Sequence, residues 1–321
     1  MTRMAWLMSL ILLVSVPAAA TPQGPLYRRV AGGEEEVTVA KRQTLGLLAA
    51  AKGVKWTVVA RQNGLKKPYK LKEGMVLKVN TSHIIPEEVT NGLVINLPEL
   101  MLYHFRDGAY QRRYSLAVGK PSWQTPTGTF KISEKRKNPT WNVPPSIQEE
   151  MEEQGLEVIE KVAPGPRNPL GKFWMGTTAA GVGIHATNRP WSVGYYVSHG
   201  CIRMLPAEIA ELFPQIEIGT PVKIIYRPIK LALTPEGRIY LEAHPDIYCK
   251  KLDALEYARE QAEEYGLQYC IDWDKVPAIL KAREGIAQDV TKEGPAITPA
   301  GREAPREVGL FPLQPPKAKL E

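Results

Sequence analysis

The chain has 321 residues, of which 44% are apolar and 23% charged, a composition typical of a folded protein rather than a disordered chain. Its length predicts two or three domains with a real core, and its formal charge of +7 suits an anionic polymer without indicating nucleic acid. Three cysteines, Cys201, Cys249 and Cys270, exclude a disulfide-stapled scaffold and a four-cysteine zinc site. If the protein is exported, two of them can pair and one thiol is left over.

The first twenty residues have the pattern of a secretory signal peptide. Arg3 precedes an apolar run of about 13 residues, and Ala18, Ala19 and Ala20 form a small-residue cleavage site. The alternative is a membrane anchor, but such a run is too short to span the roughly 30 Å of hydrocarbon in a bilayer. We therefore expect residues 1–20 to be removed and the mature protein to lie outside the cytoplasm.

A small unit over 36–80 is predicted to fold in the order βααβ. Thr44 is a candidate cap for a first helix that ends at Gly53, a second helix fits 55–63, and strands fit 37–39 and 75–79. The unit resembles a LysM module, most closely at 44–45, 63–65 and 71–77, and the resemblance implies binding to glycan that contains N-acetylglucosamine. The family usually has Gly-Asp before its Thr-Leu pair, where this chain has Arg42-Gln43. The alternative is a purely structural domain.

The region 90–227 is predicted to be rich in strands, and its short apolar runs at 93–97, 101–105, 113–118 and 222–226 are bounded by turn residues. An insertion over 138–171, with an acidic helix at 146–154, is predicted to fold over a cleft as a lid or acceptor platform. A short helix over 206–213 is predicted to point Glu208 outward. Beyond it, 228–284 is predicted as an extension with a hairpin at 229–241 and a helix at 252–265, followed by a Pro-rich disordered tail over 285–321.

One segment, residues 198–204, is the strongest candidate for chemistry. It contains Cys201, with His199 two residues before it and His185 sixteen residues before it. A thiol becomes a useful nucleophile when a nearby base raises its thiolate fraction, and Gly200 permits a positive φ that turns successive N–H groups toward one point. A metal site is an alternative, although no second cysteine stands at a ligand spacing. Inert core packing of the cysteine is another alternative.

The segments 184–190 and 198–204 resemble the signature of the L,D-transpeptidase (YkuD-like) catalytic domain. Further similarity lies at 125–130, and 138–141 and 165–171 resemble a subgroup of Gram-negative periplasmic members. The fold class implied is a mainly β, sandwich-like catalytic domain with a LysM module before it and an α-containing extension after it. The resemblance also implies a periplasmic location and needs no cofactor or metal.

The resemblance implies a role for each matching residue. Cys201 is the nucleophile and His185 the general base, with the ring of His185 oriented by the carbonyl of Ala186, where Gly is commoner in the family. The backbone N–H groups of His199, Gly200 and Cys201 form the oxyanion hole, and Ser198 and His199 serve as positioners. Arg203 holds a substrate carboxylate or forms a structural ion pair. The other candidates for substrate binding are Asn188, Trp191, Tyr195 and Tyr196, for which simple packing is the alternative.

The activity implied is transfer of an acyl group within peptidoglycan. Cys201 attacks an L-centre–D-centre bond of a stem tetrapeptide, and an amine then takes the acyl group, either in a cross-link or in an anchored envelope protein. Two alternatives remain: a hydrolase of the same family that acts as an L,D-carboxypeptidase or releases wall-attached protein, and a non-catalytic wall-binding protein. The partners implied are the stem peptides and glycan strands of peptidoglycan.

Cys249 and Cys270 flank the helix predicted at 252–265. In an oxidising compartment they can form a disulfide across that helix and its return. The alternative is two free thiols. Neither has a neighbouring signature for catalysis.

Overall fold

The computed structural model describes residues 24–293. The predicted signal peptide and residues 294–321 of the predicted tail lie outside this range. Within it, none of the helices is both long and apolar enough to cross a membrane.

The N-terminal part forms a small unit with its own core. It contains β1 (Val30–Ala31), β2 (Glu34–Thr38), α1 (Leu45–Lys52), α2 (Trp56–Gln62), β3 (Val76–Asn80) and β4 (His83–Ile84). The Thr44 hydroxyl accepts a hydrogen bond from the Leu47 N–H (3.3 Å), and Gly53 ends α1 with a φ of +67°. β2 and β3 pair antiparallel behind the two helices, so this stretch has the βααβ order expected from the sequence.

Nine strands form the sheet that carries the centre of the molecule. They are β5 (Gly92–Asn96), β6 (Met101–Arg106), β7 (Ala109–Gly119), β8 (Gly128–Lys137), β11 (Phe173–Thr177), β12 (Gly183–His185), β13 (Tyr196–Ser198), β14 (Ile202–Met204) and β15 (Pro221–Ile225). The order is β13-β7-β14-β12-β11-β8-β15-β5-β6, and β6 also pairs with β7. The mainly β prediction is therefore confirmed.

The long strands β7 and β8 give this sheet its sandwich-like shape. One half of β7 pairs with β6 and the other with β14, while β8 passes from β15 to β11. The two layers of this nine-stranded sheet thus share both long strands. The pairing closes on itself, which leaves few open edges. The apolar faces enclose a core that includes Leu102, Leu116 and Ile184.

Between β8 and β11 the insertion forms a small substructure of its own. It contains β9 (Trp141–Asn142), α3 (Pro145–Glu153) and β10 (Lys161–Val162), with β9 and β10 paired antiparallel. α3 buries none of its residues, so the insertion lies on the surface of the sheet rather than in its core. After β14 the chain forms α4 (Pro206–Leu212).

The C-terminal extension packs a three-stranded sheet against two helices. Its elements are β16 (Ile229–Leu233), β17 (Ile239–Ala243), α5 (Ala254–Glu264), α6 (Val276–Ala282) and β18 (Gln288–Asp289). The tail predicted from 285 begins too early, because β18 pairs with β17 and Val290 is fully buried. Ile286 and Val290 are buried apolar side chains. The number of prolines in this region had predicted a disordered tail instead.

The predicted disulfide is corrected by the structure, which has Cys249 and Cys270 as free thiols. α5 lies between them in the sequence. Cys249 is exposed, whereas Cys270 packs against the apolar cluster of the extension.

A buried ionic cluster joins the extension to the nine-stranded sheet. The Lys230 ammonium lies 2.9 Å from Glu99 and 3.0 Å from Glu242, and it donates to the Ile84 carbonyl (2.7 Å). Glu99, Glu242 and His244 have ligand atoms within 4.8 Å of one another, and Lys230 supplies the positive charge among them. Burial alone would raise the pKa of Glu242, but Lys230 and His244 hold it at about 2.

Candidate active site

Strand pairing brings His185 and Cys201 to the same region of the sheet. β12 and β14 run parallel, with Ile184 opposite Ile202 and His185 opposite Arg203. Cys201 comes one residue before β14 and is therefore level with Gly183. Because side chains at every second position share a face, this register predicts that Cys201, His185 and Arg203 face the same side.

The thiol of Cys201 is half-buried and protonated at rest. Its Sγ donates to the carbonyl of Gly181 at 3.4 Å. Burial raises the pKa of the thiol, and a hydrogen bond from the Gly183 backbone and the charge of Arg203 only partly oppose that effect. The thiol therefore needs a base at the moment of reaction.

His185 has the properties of that base. Its Nδ1 lies 2.5 Å from the carbonyl of Ala186, and since a carbonyl only accepts, Nδ1 carries the proton and Nε2 is left to accept one. Burial lowers the pKa of His185 to about 3, with a further contribution from the Arg203 charge. The ring of Trp174 packs 5.8 Å from the imidazole, centroid to centroid. The base is thus neutral and fixed in one tautomer.

The methyl group of Ala186, where Gly is commoner in the family, is buried against Gly171. A Cβ placed on Gly171 would come within 2.6 Å of the Ala186 Cβ, and Gly171 has a φ of +63°. The methyl group of Ala186 therefore occupies the space where a side chain on Gly171, the last residue of the insertion, would stand. The Ala186 carbonyl remains in position to orient His185.

The loop before Cys201 is held by hydrogen bonds from Ser198. The Ser198 hydroxyl donates to the Cys201 carbonyl (2.5 Å) and accepts from the Gly200 N–H (3.2 Å). Gly200 has a φ of +100°, and the nearest atom to where a Cβ would stand is the Gln124 carbonyl oxygen at 3.8 Å, so conformation rather than space requires glycine there. The Gly200 N–H, one of the three donors expected at the oxyanion hole, is therefore bound by Ser198 in this structure.

The side chain of His199 is directed toward the insertion. Its Nε2 lies 2.5 Å from a carboxylate oxygen of Glu150 on α3, and its ring packs edge-on against Trp123. Lys120 reaches the other oxygen of Glu150 at 3.4 Å. His199 therefore ties the insertion to the nucleophile loop and leaves the role of base to His185.

A cavity of about 330 Å³ opens at Cys201. The insertion forms one wall with Pro139, Trp141 and Pro144, and β8 and β11 form another with Glu134 and Trp174. The insertion thus lies at the cleft, on the side where the sequence predicted a lid or platform.

Trp174 was not singled out by the sequence analysis. It stands between apolar Phe173 and Met175. The sequence therefore lacks the alternation of apolar and polar residues that would distinguish a side chain facing the cleft from one facing the core. Its indole N–H donates to Glu134 at 2.7 Å, and a Cβ on Gly183 would come within 2.3 Å of the indole. Gly183 therefore makes room for Trp174 beside His185.

Arg203 is partly buried and has no carboxylate partner in the part of the chain that the structure describes. Burial and the charge of Arg189 lower its pKa, while the thiol of Cys201 has the opposite effect. The structural ion pair, one of the two alternatives for this residue, thus finds no partner within residues 24–293. Two neighbouring guanidinium groups at a thiol favour an anionic ligand.

The remaining candidates for substrate binding are not among the residues that line the cavity at Cys201. Trp191, Tyr195 and Tyr196 line a second cavity, also of about 330 Å³, between α1, the sheet and the extension. Tyr196 donates its hydroxyl to the Pro98 carbonyl (2.9 Å), and Asn188 donates to the Arg167 carbonyl (2.9 Å). The short helical turn at Pro190–Ser192 carries the loop around to this other side.

Comparison with known proteins identifies the family. Residues 90–224 match the YkuD family model, described as the L,D-transpeptidase catalytic domain. The probable L,D-transpeptidase YcfS of Escherichia coli K12 is 32% identical over 249 residues, which cover 75% of this chain and 77% of that protein. The chain belongs to the L,D-transpeptidase family. The probable L,D-transpeptidase ErfK/SrfK of the same strain is 30% identical over 233 residues, covering 71% of this transpeptidase and 74% of the relative.

The transpeptidase is also similar to a solved catalytic domain. The NMR structure of the catalytic domain from the E. faecium L,D-transpeptidase is 25% identical, covering 43% of this chain and 99% of that one, with a TM-score of 0.34. Because that superposition is loose, membership in the family rests on the sequence matches. Those matches make the transpeptidase an enzyme that acts on peptidoglycan, with His185 and Cys201 both inside the matched catalytic domain.

Proposed function

We propose that Cys201 and His185 carry out the L,D-transpeptidase reaction on a peptidoglycan stem tetrapeptide. The observation that carries the proposal is the 2.5 Å contact between His185 Nδ1 and the Ala186 carbonyl, which requires the proton to be on Nδ1. A neutral imidazole with Nε2 available is a base that can take the thiol proton without first losing one of its own. The raised pKa of Cys201 makes that transfer necessary.

The first half-reaction forms a thioacyl-enzyme. His185 Nε2 takes the thiol proton as Sγ attacks the carbonyl carbon of the L-centre–D-centre bond, and negative charge collects on the carbonyl oxygen. The C–N bond then breaks, the imidazolium returns the proton to the leaving nitrogen, and the terminal D-residue departs. The acyl group remains bonded to Sγ and His185 is neutral again.

The second half-reaction reverses these steps with an amine as acceptor. His185 takes a proton from the amine as its nitrogen attacks the thioester, and the proton passes to the departing Sγ. A side-chain amine of another stem gives a cross-link, and an amine of an envelope protein gives an anchored protein. Water in place of the amine would make the enzyme a carboxypeptidase or a releasing hydrolase.

Arg203 is proposed to bind a carboxylate of the donor stem. A stem tetrapeptide ends in a carboxylate next to the scissile bond, and a guanidinium can hold such a group through two parallel hydrogen bonds. The absence of a carboxylate partner for Arg203 among residues 24–293 supports this role. The charge of Arg189 adds to the attraction.

The βααβ unit is proposed to be a LysM module that binds glycan strands, and the enzyme is proposed to act in the periplasm after removal of residues 1–20. The order of elements and the Thr44 cap support the module. The pair Arg42-Gln43 departs from the usual loop: Gln43 Oε1 accepts the Ala40 N–H at 2.9 Å and Arg42 has a φ of +59°. Binding to purified sacculi, compared between the enzyme with residues 36–80 and the enzyme without them, tests the proposed glycan-binding module.

Product analysis tests the reaction. The purified enzyme is incubated with disaccharide tetrapeptides, with and without an amine acceptor protein, and the products are separated by mass. Cross-linked dimer or acylated acceptor supports transfer, and Cys201→Ala is expected to abolish both while still binding sacculi. A shortened monomer alone would show a hydrolase, and turnover by Cys201→Ala would refute the nucleophile. Binding without turnover by the unchanged enzyme would mark a non-catalytic wall protein.

A further inference from the structure

We propose that Tyr248, in the C-terminal extension, is a positioning residue that aims the Cys201 N–H at the oxyanion. Tyr248 lies beyond the matched catalytic domain, which ends at residue 224. The inference rests on the proposed function, because it assumes that Cys201 is the nucleophile. It gives the extension a part in catalysis through hydrogen bonds to the loop that carries the thiol.

The contact between Tyr248 and the catalytic sheet is a closed set of hydrogen bonds. The Tyr248 hydroxyl donates to the Gly119 carbonyl (3.0 Å) and accepts from the Thr125 N–H (3.2 Å). The Thr125 hydroxyl accepts from the Gly119 N–H (3.0 Å) and donates to the Gly200 carbonyl (2.9 Å). All four bonds are buried, where a satisfied network fixes geometry strongly.

The last of these bonds sets the direction of the Cys201 N–H. The peptide between Gly200 and Cys201 is planar, and in a trans peptide its C=O and N–H point in opposite directions. Thr125 holds the carbonyl on the side away from the cavity, whose lining includes Cys201 but not Thr125. The N–H of Cys201 is therefore turned toward the cavity. With the Gly200 N–H bound by Ser198, this N–H becomes the main donor that the loop offers to an oxyanion.

Tyr248 is itself held in place from the extension. Its ring stacks on Tyr226 with centroids 5.5 Å apart, and its N–H donates to the Tyr226 hydroxyl (2.9 Å). That hydroxyl in turn donates to Asp246. The side chain of Tyr248 is 7% exposed, so replacing it with Phe keeps the packing and removes only the hydroxyl.

The test separates acylation from simple thiol reactivity. Acylation creates an oxyanion, whereas alkylation of the thiol by iodoacetamide does not. For Tyr248→Phe we expect kcat for acyl transfer to fall about tenfold, less than the hundredfold or more for removal of a whole oxyanion donor, with KM within about twofold. The alkylation rate of Cys201 is expected to match that of the unchanged enzyme. Thr125→Val is expected to lower kcat further, and Thr125→Ser to retain it.

Tyr257→Phe is the matched control, because Tyr257 is also buried in the extension and its hydroxyl accepts from a backbone N–H, that of Gly24 (2.8 Å). We expect it to leave kcat unchanged. Full activity of Tyr248→Phe, or an equal fall in alkylation and acylation, would overturn the proposal. If Tyr248→Phe does not fold, the two Thr125 variants measure the same bond to Gly200. Activity that survives Cys201→Ala would refute the proposed function instead.

Discussion

His185 and Cys201 form a neutral pair in the resting enzyme, because burial disfavours the charged form of each. A thiolate–imidazolium pair would need the opposite shifts, a lowered thiol pKa and a raised histidine pKa. The resting site therefore holds the nucleophile mainly as the protonated thiol. Because thiolates are the species that oxidise, a protonated thiol suits the proposed periplasmic location.

The neutral pair predicts the pH dependence of alkylation. Because the pKa of Cys201 is raised, its alkylation rate by iodoacetamide is expected to be low at pH 7 and still rising at pH 9. Peptide mapping separates Cys201 from the exposed Cys249, which serves as an internal reference for the reagent. A plateau for Cys201 that is reached below pH 7 would contradict the neutral pair.

Arg203 is expected to act on both the substrate and His185. Arg203→Gln should raise KM for a tetrapeptide about tenfold or more, since a charged hydrogen bond of roughly 1.5–3 kcal/mol is lost. It should also move the acid limb of the kcat/KM profile to higher pH. The Arg203 charge lowers the pKa of His185, so removing the charge raises that pKa.

Arg203→Lys is the matched comparison, because it keeps the charge but loses the planar fork. We expect it to raise KM and leave the acid limb in place. If Arg203→Gln changes neither KM nor the acid limb, the carboxylate role is wrong.

At the scale of elements, the periodic patterns predicted most of the fold. Helices expected at 55–63, 206–213 and 252–265 correspond to α2, α4 and α5, and the apolar runs at 93–97 and 101–105 correspond to β5 and β6. The three helices bury one face, which leaves a periodic pattern in the sequence. β5 and β6 are buried on both faces, which leaves continuous apolar runs. α6 was missed, because it is short and begins at Val276-Pro277 with no side-chain cap.

The site was predicted in part. His185 and Cys201 stand in recognisable segments, whereas Trp174, Glu150 and Tyr248 reach the site through sheet register and long-range packing. Conversely, Trp191 and Tyr195 are close to the motif along the chain but turn to a second cavity. Proximity in sequence did not identify which aromatic side chains line the cleft.

Glu208 in α4 illustrates a buried residue that its pattern predicted to be outward. It is 7% exposed, and burial raises its pKa to about 8. The unfolded chain releases this proton near pH 4.5, so the folded state loses stability as pH rises from 4.5 to 8. Glu208→Gln should therefore raise the free energy of unfolding by up to about 4 kcal/mol at pH 9 and by under about 1 kcal/mol at pH 5.

Denaturant unfolding at the two pH values measures this difference. Glu211→Gln, on the same helix, is the control, because Glu211 forms an exposed ion pair with Arg112 (2.6 Å). Its effect should stay within about 1 kcal/mol at both pH values. An equal gain for Glu208→Gln at pH 5 and pH 9 would contradict a buried protonated carboxyl group.

At the scale of the whole molecule, Lys230 connects three parts of the chain. It lies on β16 of the extension and contacts Glu99 of the catalytic sheet and the Ile84 carbonyl on β4. Lys230→Met would leave Glu99 and Glu242 as adjacent buried carboxylates, so we expect a loss of about 3–5 kcal/mol in the free energy of unfolding.

Lys52→Met provides the comparison, because it breaks a half-exposed Lys–Glu pair, with Glu35 at 2.8 Å. It should cost at most about 1 kcal/mol. Thermal and denaturant unfolding of both variants measure the contrast, and equal losses would show that the buried cluster does not hold the three parts together.

The central claim is that Cys201 carries the acyl group between the two half-reactions. The most direct measurement is the mass of the enzyme and of its peptides after a short incubation with a tetrapeptide donor and no amine acceptor. We predict an adduct on the peptide that contains Cys201, equal in mass to the donor without its terminal D-residue, and none in Cys201→Ala. Cross-linked product that forms without such an adduct, or an adduct on another residue, would contradict the mechanism.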